Sequence, residues 1–318
     1  MIRDLTRIAV ILTALILTGC TEEEVVIETG AQPMAVPVSG SVRHQMYSEK
    51  IGQTFTIDVA LPFAPSDQAM PVVYVTDGGT MFPLVANSAR LLQLGYELPP
   101  MIVVGIGYPA TSPAEVLALR TRELTPTMDE EFVAEAAAGP FPLPEGVLPG
   151  GADAFLDFIE KQVKPMIRAN YPVTDNETLV GDSLGGLFAL YALFNRTGDY
   201  DRYLAGSPSI WWDDAMLFEE ETGYATDNED MNVDLFLSVG GLEEVVDPNE
   251  SRMVSNTVEM GKRLSARSYP NLRLTEHVFD GETHLSVIPA TFSRGLRALF
   301  AADVETLRAE LAQATQAE

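Results

Sequence analysis

Residues 180–193 read VGDSLGGLFALYAL: the end of a strand-like run, then Gly181-Asp182-Ser183-Leu184-Gly185-Gly186, then apolar residues at helical spacing. Ser183 is either a nucleophile held up by a tight turn or the N-cap of a helix. Gly181-Asp182-Ser183-Leu184-Gly185 matches G-x-S-x-G between a strand candidate and a helix candidate, which is the local context of a nucleophile elbow. In such an elbow the serine occupies a strained turn, and side chains two residues before and after it would collide with neighbouring backbone. The two glycines remove that collision.

Outward from this stretch, strand-like and helix-like segments alternate. Residues 42–47 and 54–61 read as an opening antiparallel pair around Lys50-Ile51-Gly52. Continuous apolar runs follow at 72–76, 102–106, 178–180, 233–239 and 272–279, the pattern of parallel strands buried on both faces. Helical patterns occupy 82–94, 151–169, 184–194, 253–268 and 287–300. Within them Phe155, Leu156, Ile159, Val163, Met166 and Ile167 form a single stripe. The alternation predicts an α/β fold with a mostly parallel central sheet and helices on both faces. Residues 108–150, rich in Thr, Pro, Glu and Ala, break the rhythm. They are expected to form a binding-loop insertion at the C-terminal edge of a strand.

With 318 residues, 46% of them hydrophobic, the chain can bury one large core. The domain is placed at 41–302, followed by a helical tail at 303–318. The first nineteen residues differ in kind. Arg3 and Arg7 flank a short polar start, and an apolar run too short to span a bilayer follows, which is a signal-peptide layout. The run ends Leu17-Thr18-Gly19-Cys20, which resembles the lipobox of bacterial lipoproteins, and Cys20 is the only cysteine. Lipidation of Cys20 would make residues 20–40 a tether and the membrane a partner through a lipid anchor, and would place the protein in the bacterial cell envelope. The formal net charge of −26 argues against nucleic acid as a partner. It also gives an anionic substrate no long-range steering.

A serine hydroxyl needs a base, and the chain has three histidines. After a nucleophile elbow the triad runs in the order Ser, acid, His, which sets His44 aside. His277 lies inside the alternating segment 273–279, at a solvent-facing or core position. His284, in the turn-rich stretch Asp280-Gly281-Glu282-Thr283-His284, is the base by elimination and by position. The acid should follow the preceding strand, where Glu243, Glu244 and Asp247 are the candidates, Glu243 first. Oxyanion donors are expected at the N–H of Leu184 and in the loop Asp77-Gly78-Gly79-Thr80. No cluster of His, Cys and carboxylates has ligand spacing, so no metal or organic cofactor is expected.

These residues carry a resemblance. The chain resembles the esterase branch of the α/β-hydrolases that contains ferric enterobactin esterases and S-formylglutathione hydrolase, over roughly residues 40–302. The matching pieces are Tyr74-Val75-Thr76-Asp77-Gly78, Arg120-Thr121-Arg122-Glu123-Leu124-Thr125-Pro126, Gly181-Asp182-Ser183-Leu184-Gly185-Gly186, Ser207-Pro208-Ser209-Ile210-Trp211-Trp212 and Gly281-Glu282-Thr283-His284. The resemblance implies an α/β-hydrolase fold, Ser183 as nucleophile, His284 as base, Glu243 as acid and the N–H of Gly79 as an oxyanion donor. It also implies that the loop with Arg120 and Arg122 helps hold substrate, by pairing with catecholate or carboxylate oxygens. A surface ion pair with Glu123 or another acid is the alternative for these arginines. Of Trp211 and Trp212, one is expected to line a pocket and the other to pack in the core. The expected activity is serine carboxylic-ester hydrolysis of a small-molecule ester, with siderophore esters favoured. A general short-acyl esterase, an acyltransferase and a non-catalytic binding module are the alternatives.

Overall fold

The computed structural model describes residues 38–63, 68–110, 112–139, 142–246 and 251–317. The leader, Cys20, most of the tether and Asp247 lie outside the described residues. In chain order the elements are β1 (Ser41–Ser48), β2 (Gln53–Ala60), β3 (Met70–Val75), α1 (Gly78–Leu94), β4 (Ile102–Gly107), α2 (Pro113–Leu124), α3 (Glu130–Ala138) and α4 (Ala152–Phe158). A π-helical turn, Ile159–Val163, joins α4 to α5 (Lys164–Asn170). Then come β5 (Val173–Asp182), α6 (Leu184–Asn195), β6 (Arg202–Gly206), α7 (Trp212–Ala215), α8 (Leu217–Asp227) and β7 (Asp234–Gly240). The chain continues through α9 (Met253–Arg267), β8 (Arg273–Phe279), α10 (Ile288–Leu299) and α11 (Ala301–Ala317).

The strands form one sheet in the order β1-β2-β4-β3-β5-β6-β7-β8. β1 pairs antiparallel with β2, and β2 with β4; every other pairing is parallel. The apolar runs have a direct cause. Val72 and Tyr74 of β3, Leu179 of β5, Tyr203 of β6 and Leu235 and Leu237 of β7 enter the core under α4 to α6, α8 and α9. Their neighbours Val73, Val75, Val180, Leu204 and Phe236 enter the opposite core, under α1 and α10. Successive side chains of a strand point to opposite faces, so a strand covered on both sides must be apolar throughout.

Three expectations change. β8, read as an apolar run, is an edge strand with Arg273, Glu276 and Val278 exposed, because it pairs on one side only. β6, a five-residue strand opening on the buried Arg202, was not among the predicted runs. The insertion at 108–150 carries α2 and α3 rather than loop alone. Helix α6 is buried along its whole length, Leu184 to Phe194, which accounts for the unbroken apolarity of that stretch. The parallel strands β3 to β8 all point their C-terminal ends to one edge of the sheet. There the β3–α1, β5–α6, β6–α7, β7–α9 and β8–α10 connections meet.

Candidate active site

The connection from β5 to α6 is a single residue. Ser183 has φ 61 and ψ −120, a conformation that side-chain-bearing residues rarely adopt. It stands at the N-cap position of α6, yet its hydroxyl makes no capping hydrogen bond. Three backbone bonds hold the strained turn: the Ser183 N–H to the Gly206 carbonyl at 2.9 Å, and the N–H groups of Ser209 and Leu187 to the Ser183 carbonyl at 3.1 and 3.0 Å. A Cβ at Gly181 would lie 2.1 Å from the Gly185 carbonyl oxygen, and one at Gly185 would lie 2.4 Å from Thr76 Oγ1. The glycine spacing is thus a steric requirement of the turn.

His284 lies between β8 and α10, and its Nδ1 is 2.7 Å from Glu243 Oε2. Glu243, 2% exposed, sits just past β7. Its other oxygen accepts hydrogen bonds from Ser207 Oγ and from the Gly240 N–H, each 2.6 Å. A carboxylate fixed by two donors and facing Nδ1 selects the tautomer with hydrogen on Nδ1 and leaves Nε2 as the proton acceptor. Burial pulls the His284 pKa down, but the hydrogen bond and charge of Glu243 lift it above the ordinary histidine value. The neighbouring acid Glu244 is otherwise engaged, accepting from the backbone N–H and the hydroxyl of Ser255. His277 is on the edge strand, its ring edge-on to Phe279, and His44 is 2.7 Å from the Tyr171 hydroxyl on the far side of the sheet order.

Two helix N-termini face this edge. Gly78 and Gly79 open α1, and Leu184 opens α6. First-turn N–H groups have no carbonyl one turn back in their own helix, and the helix dipole favours negative charge there. A Cβ at Gly79 would meet nothing within 4 Å, so the backbone there is open to a ligand. The turn before α1 depends on Asp77, which has φ 54 and whose carboxylate is gripped by Arg120 in a fork, Nε to Oδ1 at 2.8 Å and a terminal nitrogen to Oδ2 at 2.9 Å. Arg120 therefore anchors the Gly78-Gly79 turn, and its own charge is held by Asp77 rather than free. Arg122 is bonded through Nε and a terminal nitrogen to the buried Glu123. Burial, opposed by Arg122, pushes the Glu123 carboxyl up to about 7. Trp212 is fully buried, its ring tilted 54° against that of Phe132 and its N–H donating to Thr127 Oγ1, whereas Trp211 is half-buried at a cleft.

Asp182, beside the nucleophile, is 1% exposed, and its Oδ1 has no hydrogen-bond partner. Burial pushes its carboxyl up to about 8, against the opposing charge of His284. Three contributors escaped the sequence reading: Ser207 on the acid, Asp77 on the glycine turn, and the buried Asp182. Ser207 and Asp77 act through partners 36 and 43 residues away, and no local pattern signals such a pairing.

The sequence profile of the family described as "Putative esterase" matches residues 140–299. The chain is 31% identical to the ferri-bacillibactin esterase BesA of Bacillus subtilis, over 84% of this chain and 92% of that one. It is 30% identical to the siderophore triacetylfusarinine C esterase of Aspergillus fumigatus, over 85% and 97%. Among solved structures, the BES protein of Bacillus cereus superposes with a TM-score of 0.71 at 29% identity, covering 85% of this chain and 98% of that one. The siderophore hydrolase EstB of Aspergillus nidulans superposes with a TM-score of 0.70 at 28% identity, covering 84% and 98%.

Proposed function

Because this chain belongs to the esterase family of the α/β-hydrolases, we propose that it hydrolyses carboxylic esters of siderophore type through an acyl-enzyme on Ser183. The observation that carries the reading is the 2.7 Å contact of His284 Nδ1 with a carboxylate already fixed by Ser207 and Gly240, at the same sheet edge as the strained Ser183 turn. The relatives named as siderophore esterases support the substrate class.

In the proposed reaction Ser183 Oγ attacks the ester carbonyl as its proton passes to His284 Nε2. Glu243 stabilises the imidazolium that forms. The carbonyl electrons collect on oxygen, which the N–H groups of Gly79 and Leu184 receive, with Arg120 and Asp77 holding the first donor in place. Collapse breaks the bond to the alkoxide, which takes the proton from His284 and leaves as the alcohol. Water, giving its proton to His284, then attacks the acyl-Ser183 ester and releases the acid. Trp211 remains the proposed substrate-facing group, while Arg120 and Arg122 are held by Asp77 and Glu123 and act by fixing the loops around the site.

The sequence supports an address as well: Cys20 carries the lipid, residues 20–40 are the tether, and the domain at 41–302 works in the cell envelope. Metabolic labelling with a fatty acid should mark the wild-type chain and not Cys20→Ala; label persisting in the variant removes the anchor. For the chemistry, wild-type protein and Ser183→Ala are compared on p-nitrophenyl butyrate and on a 2,3-dihydroxybenzoyl-serine trilactone. Turnover by the wild type alone is expected. Equal turnover by both would remove Ser183 from the mechanism.

A further inference from the structure

The edge of the sheet opposite the candidate active site carries a rim of exposed apolar side chains. β2 runs antiparallel to both its neighbours, with Ala60 opposite Ser41 and Val103, so β1 begins and β2 ends level with the start of β4. Helix α1 starts beside the catalytic turns and ends at this opposite edge, where residues 95–101 lead into β4. The ten residues of β5, at about 3.3 Å each, put Ser183 roughly 30 Å away.

Leu61 and Phe63 follow β2, Leu91 and Leu94 stand on the solvent side of the end of α1, and Tyr96 comes just after it. All five are exposed, Leu91 at 67% and Leu94 at 64%. Arg90 gathers them: its guanidinium donates to the carbonyls of Ser39, Gly40 and Leu61 and lies 5.5 Å from the centre of the Phe63 ring. Leu94 is one helical turn beyond Arg90, and Leu91 and Leu94 are neighbours on the helix surface. Three acids of this edge are occupied, Glu97 with Arg297, Asp234 with Arg273 and Asp303 with Arg202. The other exposed large apolar side chains among the described residues lie on the insertion, the acid and base loops, the edge strands β1 and β8, and α11.

Arg90 also fixes where the chain enters the domain. Val38 packs against the core under α1 and α10, and Ser39 and Gly40 follow it into the grip of Arg90. Cys20 precedes Val38 by eighteen residues, a stretch that spans at most about 60 Å. A lipid on Cys20 therefore keeps the rim within that reach of a bilayer, with the catalytic edge on the far side of the domain. Grouped apolar side chains on a surface mark a contact. With a net charge of −26 the chain is not drawn to anionic lipid, so apolar burial is the attraction that remains. Resting on the lipid-anchor reading above, we infer that Leu61, Phe63, Leu91, Leu94 and Tyr96 rest on the bilayer that holds the anchor, and that the catalytic edge faces away from it. The Phe63 and Tyr96 rings sit at the headgroup level. In this pose the enzyme takes its ester from water and has no access to the acyl chains beneath it.

The test uses the full chain, lipidated in bacterial membranes and reconstituted in phosphatidylcholine vesicles. Cys20 is the only cysteine and carries the lipid, so one introduced cysteine takes one nitrobenzoxadiazole label, in Phe63→Cys, in Leu91→Cys or, on the catalytic edge, in Leu285→Cys. Circular dichroism checks the fold of each. A spin-labelled lipid should quench the two rim labels by about twofold or more and leave the Leu285→Cys label unchanged, because quenching needs contact with the bilayer. Salt at about 1 M should not alter the pattern, since apolar contact is not screened. Leu91→Glu with Leu94→Glu, added to Phe63→Cys, should abolish quenching while the lipid still floats the protein with the vesicles. Quenching of the Leu285→Cys label, or none at the rim in protein that floats, would overturn the pose. Rim labels that respond to protein concentration and not to the spin-labelled lipid would put a second copy there in place of the bilayer. Protein that does not float, with no lipid on Cys20 by mass, would overturn the anchor on which the pose rests.

Discussion

Replacing Glu243 with glutamine keeps the shape of the buried acid and removes its charge. The Ser207 hydroxyl and the Gly240 N–H, both 2.6 Å from Oε1, fix the amide oxygen on their side. The new NH2 must then face His284 Nδ1, 2.7 Å away. Nδ1 has to accept, so the ring proton moves to Nε2, the nitrogen required to take the proton of Ser183. The lost charge-assisted hydrogen bond is worth about 1.5–3 kcal/mol, or roughly 10- to 150-fold in rate at one decade per 1.36 kcal/mol. The inverted tautomer deepens the loss toward the ~10⁴-fold effect of the same exchange in a Ser-His-Asp triad. We expect kcat to fall by about 10²- to 10⁴-fold with KM within about threefold. The pH profile moves in a defined direction. Burial alone lowers the His284 pKa, and Glu243 supplies the largest opposing effect. Activity requires neutral imidazole, so the acidic limb of kcat/KM should shift to lower pH in Glu243→Gln. Steady-state hydrolysis of p-nitrophenyl butyrate across the pH range, with circular dichroism as the check on folding, measures both. A kcat within about threefold of wild type with an unmoved acidic limb would refute the assignment and leave Ser183 and His284 as a dyad.

Other consequences follow from the same geometry. Arg120→Gln releases the fork on Asp77 and loosens the turn that presents Gly79, so kcat should drop about 10- to 100-fold with little change in KM; Arg120→Lys should not restore it, because an ammonium cannot make the bidentate grip, and a pure KM effect would instead assign Arg120 to substrate. Asp182 is held neutral by burial up to about pH 8, while in the unfolded chain it ionises near pH 4. Its raised folded pKa favours the fold at low pH, and that contribution is lost as pH rises from about 4 to 8. The Tm advantage of Asp182→Asn over wild type should therefore grow across that window and level off above it, and a pH-independent difference would contradict a protonated Asp182. Lys164, 1% exposed, bonds the Asp199 carbonyl and Glu177 Oε2 at 2.7 and 2.8 Å beneath the Tyr200 ring. Lys164→Ala should cost about 3–5 kcal/mol in urea unfolding and leave kcat of the folded protein intact; a loss below about 1 kcal/mol would mean that Glu177 and Glu160, the two carboxylates Lys164 pairs with, are satisfied without it.

The central strands were legible because both faces of β3, β5 and β7 are buried, which writes itself into sequence as unbroken apolar runs. β8 was placed among the apolar runs although 273–279 also read as alternating, and the alternation is the pattern of the edge strand, which keeps Arg273 and Glu276 in solvent. Helix α2 was hidden because its buried positions include Thr121 and Glu123 beside Ala118, Leu119 and Leu124. Polar residues buried through distant partners break the apolar stripe by which helices are recognised. The same division holds at the site. The Ser183 turn was legible because its signal, a serine flanked by Gly181 and Gly185, falls within five residues, although the space at Gly185 is set by the distant Thr76. Ser207 on Glu243 and Arg120 on Asp77 are long-range contacts that exist only once the sheet edge is assembled.

The most direct measurement is covalent. A fluorophosphonate probe reacts with an activated serine nucleophile, and intact mass followed by peptide mapping reads the adduct. The account predicts a single adduct on Ser183, formed in step with the loss of p-nitrophenyl butyrate hydrolysis, and none in Ser183→Ala. An adduct on another serine, or full hydrolysis by Ser183→Ala, would contradict it.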